Sequence, residues 1–158
     1  MSRYKQPRYF SLTEALFAIG LCAMTLLGIL MLYSFSREAS MIANANNEIA
    51  TVFAKGKWGD EKSNNRFGGS AIFLSRKEGF VFQYNKIPKG NTCVNIVTSQ
   101  RKVGWDFVVV GSVRLAYASS YTFDSSYTPK KVAALCQGTN DIEASTINLQ
   151  FEKCVECQ

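Results

Sequence analysis

Phe10-Ser-Leu-Thr-Glu14 leads directly into a run without charged residues from Ala15 to Ser36, and this run governs the architecture of the chain. This run contains 22 residues, and six leucines, two isoleucines and two phenylalanines make it strongly apolar. A helix rises ~1.5 Å per residue, so the run reaches roughly 33 Å, which matches a bilayer hydrocarbon core about 30 Å thick. The sequence therefore predicts a helix that spans a membrane.

Two simpler interpretations of this run remain open. The first is a cleaved secretory signal, because Ala43-Asn44-Ala45 has the small-x-small form of a cleavage site, although Arg37 and Glu38 separate it from the apolar run. The second is an ordinary single-span anchor for an unrelated outer domain. Neither gives Glu14 a role, and an ionisable residue beside the bilayer interior usually has a partner. Glu14 is therefore the first candidate functional residue.

The charge distribution indicates topology rather than a nucleic-acid surface. The chain of 158 residues has a net charge of +6, and three of the positive charges, Arg3, Lys5 and Arg8, precede the apolar run. By the positive-inside tendency they place the N-terminus in the cytoplasm and the rest of the chain outside it. The basic residues beyond Arg37 are scattered along the sequence. We therefore expect no nucleic-acid partner.

Cysteine usage fits a domain outside the cytoplasm. Cys22 lies in the apolar run, and four further cysteines follow it, which implies two disulfides with three possible connectivities. The sequence contains no histidine, which excludes His-based acid/base catalysis and Cys/His zinc sites. We expect no enzymatic activity, no metal and no cofactor. The four outer cysteines are Cys93, Cys136, Cys154 and Cys157.

Beyond the apolar run, the pattern becomes that of an amphipathic helix. Apolar residues recur at spacings of three and four, whereas polar residues, Glu48 among them, fill the opposite face. We expect one helix from about Phe10 to Lys55, stopped at Gly56. Its second half should pack on a globular head. The apolar stripe consists of Phe35, Ala39, Ile42, Ala45, Ile49 and Val52.

The remaining residues, 56–158, predict an α+β head with a mainly antiparallel sheet. A loop rich in Gly, Asn and Ser covers 56–70, and a polar loop rich in Ser and Tyr covers 118–128. We predict short helices over 92–100, with Thr92 as N-cap, and from Thr128-Pro129 to about Cys136. We predict strands over 71–74, 80–84, 105–110, 113–117 and 144–151.

The segment Phe10-Ser-Leu-Thr-Glu14-Ala-Leu resembles the N-terminal motif of type IV pilins and their pseudopilin relatives. The resemblance implies that a prepilin peptidase cuts between Tyr9 and Phe10, and that Glu14 pairs with the freed amine of a neighbouring subunit. The chain would then comprise a basic leader (1–9), a transmembrane half-helix (10–36), an amphipathic half-helix (37–55) and a pilin head (56–158). The family normally has Gly or Ala before the cut, whereas this chain has Tyr9.

Three further segments are similar to type IVb pilins, the family of the bundle-forming, toxin-coregulated and thin-pilus subunits. They are Asn65-Arg-Phe-Gly-Gly69, Thr92-Cys-Val-Asn-Ile-Val-Thr98 and Thr128-Pro-Lys-Lys-Val-Ala-Ala-Leu-Cys136. The resemblance implies a disulfide between Cys93 and Cys136 that bounds the region 93–136. It leaves Cys154 and Cys157 as a second pair, which the family pattern does not supply.

The function that this resemblance implies is structural. The chain would be a major or minor pilin of a type IVb pilus, resident in a bacterial inner membrane before assembly and extracellular afterwards. Its partners would be copies of itself or other pilins, the prepilin peptidase, the inner-membrane assembly machinery and the membrane. The filament would serve adhesion, aggregation or conjugation, with 118–128 as a candidate contact loop. The alternatives are a membrane-anchored periplasmic redox protein or enzyme that uses Cys154 and Cys157, and a pseudopilin of type II secretion, most of which lack the disulfide.

Overall fold

The computed structural model describes residues 11–57, 62–117, 126–138 and 145–155. Tyr9, Phe10 and Cys157 lie outside these ranges, as does most of the predicted contact loop. The chain divides into two compact units, Met1–Ala39 and Ser40–Gln158. Its elements are α1 (Leu12–Lys55), β1 (Lys62–Asn64), β2 (Ser70–Arg76), β3 (Gly79–Pro88), α2 (Asn91–Gln100), β4 (Phe107–Val110), β5 (Val113–Ala116), α3 (Pro129–Gln137) and β6 (Thr146–Cys154).

The predicted long helix is confirmed from Leu12 to Lys55. It ends where predicted, since Gly56 takes a φ of 59° and its N–H donates to the carbonyl of Val52 at 2.9 Å. A residue with a Cβ adopts that left-handed conformation only at a cost, which is why glycine is a common helix stop. The unbroken helical pattern of the sequence was therefore sufficient to define this element.

The second unit contains one antiparallel sheet of six strands in the order β1-β2-β3-β6-β4-β5. The last strand of the chain, β6, lies between β3 and β4, so the sheet closes only when the C-terminal segment is in place. The register sets an apolar row across five strands on one face of the sheet. This row consists of Phe73, Phe82, Phe151, Val108 and Leu115. The predicted α+β class is confirmed.

Residues 40–55 of α1 belong to the core of this unit. Ala45, Ile49 and Val52 are fully buried, as the apolar stripe predicts. The stripe does not extend to its predicted beginning, because Phe35 is 79% exposed. Residues 15–36 carry no charged side chain on any face of the helix, so a helical period there does not mark a buried face.

Two local predictions in the head are wrong. The predicted 56–70 loop contains the short strand β1, which pairs with β2. Thr92 does not cap α2, because Gly90 occupies the N-cap position without a side-chain cap and Thr92 is 2% exposed. By contrast, Thr128 caps α3 as predicted and accepts a hydrogen bond from the Lys131 N–H at 3.3 Å.

The disulfide between Cys93 and Cys136 is confirmed, with the two Cα atoms 5.6 Å apart. It joins the first turn of α2 to the last turn of α3, and both cysteines are fully buried. Because α2 and α3 also pack against each other, the bridge closes a two-helix layer on the core. The region 93–136 is therefore bounded covalently.

Asn65 organises the turn that precedes β2. Its Oδ1 accepts hydrogen bonds from the N–H groups of Phe67 and Gly69, both at 2.9 Å, and its Nδ2 donates to the carbonyl of Asn85. A Cβ at Gly69 would collide with that same carbonyl oxygen. The sequence Asn-Arg-Phe-Gly-Gly therefore fastens the turn against β3, and the second glycine is required by close backbone approach.

Candidate functional site

The residues at the start of α1 form a reciprocal cap. The Ser11 N–H donates to Oε2 of Glu14 at 3.0 Å, and the Glu14 N–H donates to Oγ of Ser11 at 3.3 Å. This is a capping box, in which two side chains satisfy N–H groups that have no partner within the helix. A carboxylate in the first turn also complements the helix dipole. Glu14 thus has a role within its own chain.

This cap contradicts the statement that a plain membrane anchor gives Glu14 no role. A plain anchor does not leave Glu14 without a role, because the carboxylate stabilises the helix N-terminus in any context. The spacing Ser-x-x-Glu before an apolar run is a known sign of such a cap and was present in the sequence. The pairing of Glu14 with another subunit stays a prediction.

The described part of the first unit, residues 11–39, exposes almost all of its apolar side chains. Its helix is long and apolar enough to cross a membrane, and its most apolar window of 18 residues has a mean hydropathy of 2.5 and is 0% buried. Leu12 and Phe35, near the two ends of the apolar run, are each 79% exposed. Such a surface is unfavourable in water and needs lipid or other apolar surfaces as its environment.

Two hydroxyl side chains within this run form hydrogen bonds with their own helix. The Thr25 hydroxyl donates to the carbonyl of Cys22 at 2.9 Å, and the Ser34 hydroxyl donates to the carbonyl of Met31 at 2.8 Å. Hydroxyl groups that bond within their own helix require no water, so they are compatible with a hydrocarbon environment. Cys22 carries a free thiol that is exposed.

A shallow apolar depression lies on this helix around Gly20. It is lined by Leu16, Phe17, Leu21 and Met24. A Cβ built at Gly20 would meet nothing within 4 Å, so the depression is open space beside the backbone. An apolar surface can approach the helix axis more closely here than at a bulky residue.

In the second unit, Glu48 connects α1 to the sheet. Its Oε2 accepts a hydrogen bond from the Tyr84 hydroxyl at 2.8 Å, and its Oε1 pairs with Nε of Arg66 at 2.7 Å. Burial, and secondly this hydrogen bond, raise the pKa of Tyr84 above its ordinary value. The sequence pattern placed Glu48 on the helix face opposite the apolar stripe, but it did not reveal the contacts with Tyr84 and Arg66, which leave the side chain 22% exposed. A carboxylate beside a buried hydroxyl and an arginine is satisfied without full exposure.

Polar side chains contact one another on the face of the sheet that carries Glu152. Arg114 pairs with Glu152, and its guanidinium lies 3.8 Å from the ring centroid of Phe107. Gln150 accepts from Gln83 at 3.0 Å and donates to Glu152 at 2.6 Å. A cleft of about 100 Å³ next to these residues is lined by both acidic and basic side chains. It is too small for an organic cofactor.

The second predicted cysteine pair is only half described. Cys154, at the end of β6, is disulfide-bonded, whereas its predicted partner Cys157 lies outside the described residues, so their pairing stays a prediction. Within the described parts of the chain, no group of three or more His, Cys, Asp or Glu residues is arranged to hold a metal ion.

No protein-family model, curated protein or solved structure matches the chain. Of the residues expected to act in assembly, Glu14 is described, whereas Tyr9 and Phe10 at the expected cleavage point are not. The functional conclusion therefore rests on α1, its capped beginning and the disulfide-closed head.

Proposed function

We propose that this chain is the structural subunit, major or minor, of a type IVb pilus. The observation that supports the proposal is the single helix α1, which begins with the Ser11–Glu14 cap, exposes apolar side chains over residues 12–35 and buries Ala45, Ile49 and Val52 in a sheet head. One element thus carries both a membrane-compatible surface and the anchor point of a folded domain. The disulfide Cys93–Cys136 supports the type IVb assignment over a type II secretion pseudopilin.

Assembly of such a subunit exchanges one apolar environment for another. The exposed run of α1 leaves lipid and packs against the same run of neighbouring copies, so apolar surface stays out of water throughout. Without a hydrophobic gain over lipid, packing of small residues and polar contacts must favour the helix bundle. Gly20, with open space beside its backbone, suits such close packing.

Glu14 is the polar contact that sets the depth of each helix in the bundle. In the proposed filament its carboxylate pairs with the α-amine of Phe10 of a neighbouring copy, after the leader 1–9 has been removed. A carboxylate in an apolar bundle is costly unless it is paired, so only the register that brings an amine to Glu14 is stable. N-terminal sequencing of the mature protein tests this step. A mature chain that begins at Phe10 supports it, and an intact leader contradicts it.

The test of function is recovery of the chain from sheared surface filaments. We expect the wild-type chain in the sheared fraction, and we expect Glu14→Ala to remain in the membrane fraction. Glu38→Ala, at the other end of the apolar run, is the matched control and should assemble. A wild-type chain found only in the cell membrane would refute the proposal.

The remaining alternative, a periplasmic redox protein or enzyme, is tested in the same preparation. It predicts that the chain stays with the cells and that Cys154→Ser abolishes a thiol–disulfide exchange activity. A low thiol pKa in redox proteins usually depends on a helix N-terminus, whereas Cys154 lies at the end of a strand. For this reason we favour the structural role.

A further inference from the structure

Four basic residues gather where the end of α2 meets the beginning of α3. The bridge between Cys93 and Cys136 joins the first turn of α2 to the last turn of α3, so the two packed helices run in opposite directions. The residues that follow α2 therefore lie near the first turn of α3. The basic cluster defined by this arrangement consists of Arg101, Lys102, Lys130 and Lys131.

Tyr127 confirms that the two ends are neighbours. The Arg101 guanidinium lies 4.8 Å from the centroid of the Tyr127 ring, and the Tyr127 hydroxyl is 3.4 Å from Oγ1 of Thr98 in α2. Thr128, the next residue, caps α3, and Lys130 and Lys131 follow within its first turn. The cations that follow α2 and those in the first turn of α3 thus share one end of the two-helix layer.

The nearest described acid in the sequence, Asp106, pairs with Lys153, which is not a member of the basic cluster. Residues 91–104 and 126–138 contain no Asp or Glu, and Asp124 lies outside the described residues. Among the residues that the structure describes, no cation of the cluster forms an ion pair. Two lysines in the first turn of a helix also oppose the helix dipole. A local arrangement that costs stability without compensation is typical of a functional surface.

We propose that the basic cluster binds the phosphate groups of an anionic lipid surface while the chain is anchored by α1. This inference rests on the membrane insertion assumed in the proposed function and adds a partner for the head. An anchored head meets lipid headgroups at a high effective concentration, which a soluble polyanion lacks. Three of the four cations are lysines, whose compact charges suit an array of phosphates rather than one fixed geometry.

Lysine acetylation footprinting of the full chain tests the proposal. The chain is inserted into nanodiscs of phosphatidylcholine alone or mixed with phosphatidylglycerol, and insertion is verified by co-elution. We expect the acetylation rates of Lys102, Lys130 and Lys131 to fall by about fivefold or more in the anionic nanodiscs and to recover in molar salt. Lys77 and Lys86, exposed lysines outside the cluster, are the internal controls and should keep their rates.

Two double variants distinguish lipid binding by the basic cluster from a nonspecific effect of the net positive charge. Lys130→Gln/Lys131→Gln should abolish most of the protection of Lys102, whereas Lys77→Gln/Lys86→Gln should leave it unchanged. Equal acetylation in both lipids, with the chain inserted, overturns this inference and leaves the proposed function standing. A chain that does not enter nanodiscs overturns both. Protection that appears only when duplex DNA is added overturns the lipid assignment in favour of a nucleic acid.

Discussion

The hydroxyl of Tyr84 donates a 2.8 Å hydrogen bond to the Glu48 carboxylate, which joins the middle strand β3 to helix α1. Tyr84 is fully buried, and the Glu48 side chain retains only 22% of its exposure. Arg66 completes the contact from the turn before β2. Three segments distant in sequence are therefore held at one carboxylate, which fixes how residues 40–55 lie on the sheet.

Removal of this hydroxyl should destabilise the head. We expect Tyr84→Phe to lower the free energy of unfolding by about 1.5–3 kcal/mol, because a hydrogen bond to a charged group is lost from a buried site. Urea unfolding of the full chain in detergent micelles measures the change. Tyr127→Phe is the matched control, since its hydroxyl makes only a long contact of 3.4 Å, and it should cost less than about 0.5 kcal/mol. Equal losses in the two variants would contradict the role of Glu48.

The buried tyrosines predict instability at alkaline pH. Burial is the main cause that raises the pKa of both Tyr84 and Tyr117 above the ordinary value of about 10. Above about pH 10 the unfolded chain therefore binds fewer protons than the folded chain. The stabilising contribution of the two neutral tyrosines is fully present below that pH. Above it, the free energy of unfolding should fall by about 1.4 kcal/mol per pH unit for each of the two.

Titration of unfolding free energy between neutral and strongly alkaline pH tests this dependence. The chain has seven tyrosines, so the phenolate absorbance of Tyr84 and Tyr117 is taken as the difference between the wild type and the corresponding Phe variants. That absorbance should appear together with the loss of circular dichroism rather than before it. Tyr117→Phe should reduce the alkaline slope, even though it also removes the 2.7 Å hydrogen bond to the carbonyl of Val97. If the absorbance assigned to Tyr84 or Tyr117 appeared while the chain remained folded, these two hydroxyls would not be held in the protonated form.

The two glycines of the Asn65 turn should respond differently to alanine. A Cβ at Gly69 would enter the space of the Asn85 carbonyl oxygen, so we expect Gly69→Ala to cost about 3 kcal/mol. Gly68 has open space around it but a φ of 78°, so Gly68→Ala should cost only about 1–2 kcal/mol of backbone strain. Thermal unfolding of both variants in the same detergent gives the comparison. A larger loss for Gly68 would contradict the close approach at Gly69.

Local sequence signals predicted most element boundaries in this protein. Thr128 and Pro129 specify the start of α3, and Gly56 specifies the end of α1, because each acts through its own backbone conformation. The capping box was equally local, and the Ser-x-x-Glu spacing was sufficient to identify it. The contacts of Glu48 were not predicted, because its partners come from segments remote in sequence and a helical period cannot reveal them.

The pairing of strands that are distant in sequence could not be predicted from the sequence pattern. Strand β1 has only three residues and no alternation of its own, so its pairing with β2 defines it. The insertion of β6 between β3 and β4 likewise follows from sheet register rather than from composition. Thr92 looked like a cap because it precedes an apolar segment, whereas tertiary packing buries it and Gly90 begins the helix.

The disulfide between Cys93 and Cys136 should be the largest single contribution to the stability of the head. The two residues are separated by 43 positions. A cross-link that closes a loop of that size lowers the entropy of the unfolded chain and thereby stabilises the fold by about 4 kcal/mol. We therefore expect Cys93→Ala/Cys136→Ala to lower the urea midpoint strongly. Cys22→Ala, which removes an exposed free thiol, is the control and should leave the midpoint unchanged. A double variant as stable as the wild type would contradict this estimate.

Glu14 has two candidate roles, and its isosteric amide separates them. A capping box accepts Gln in place of Glu, so Glu14→Gln should keep the helix start and the membrane insertion of the chain. It removes the charge that would pair with an amine, and we therefore expect filament yield in the sheared fraction to fall by at least about tenfold. Ser11→Ala does the reverse, because it removes the hydroxyl that accepts the Glu14 N–H and keeps the Glu14 carboxylate. We therefore expect this variant to assemble. Normal assembly of Glu14→Gln together with failure of Ser11→Ala would mean that Glu14 acts only as a helix cap.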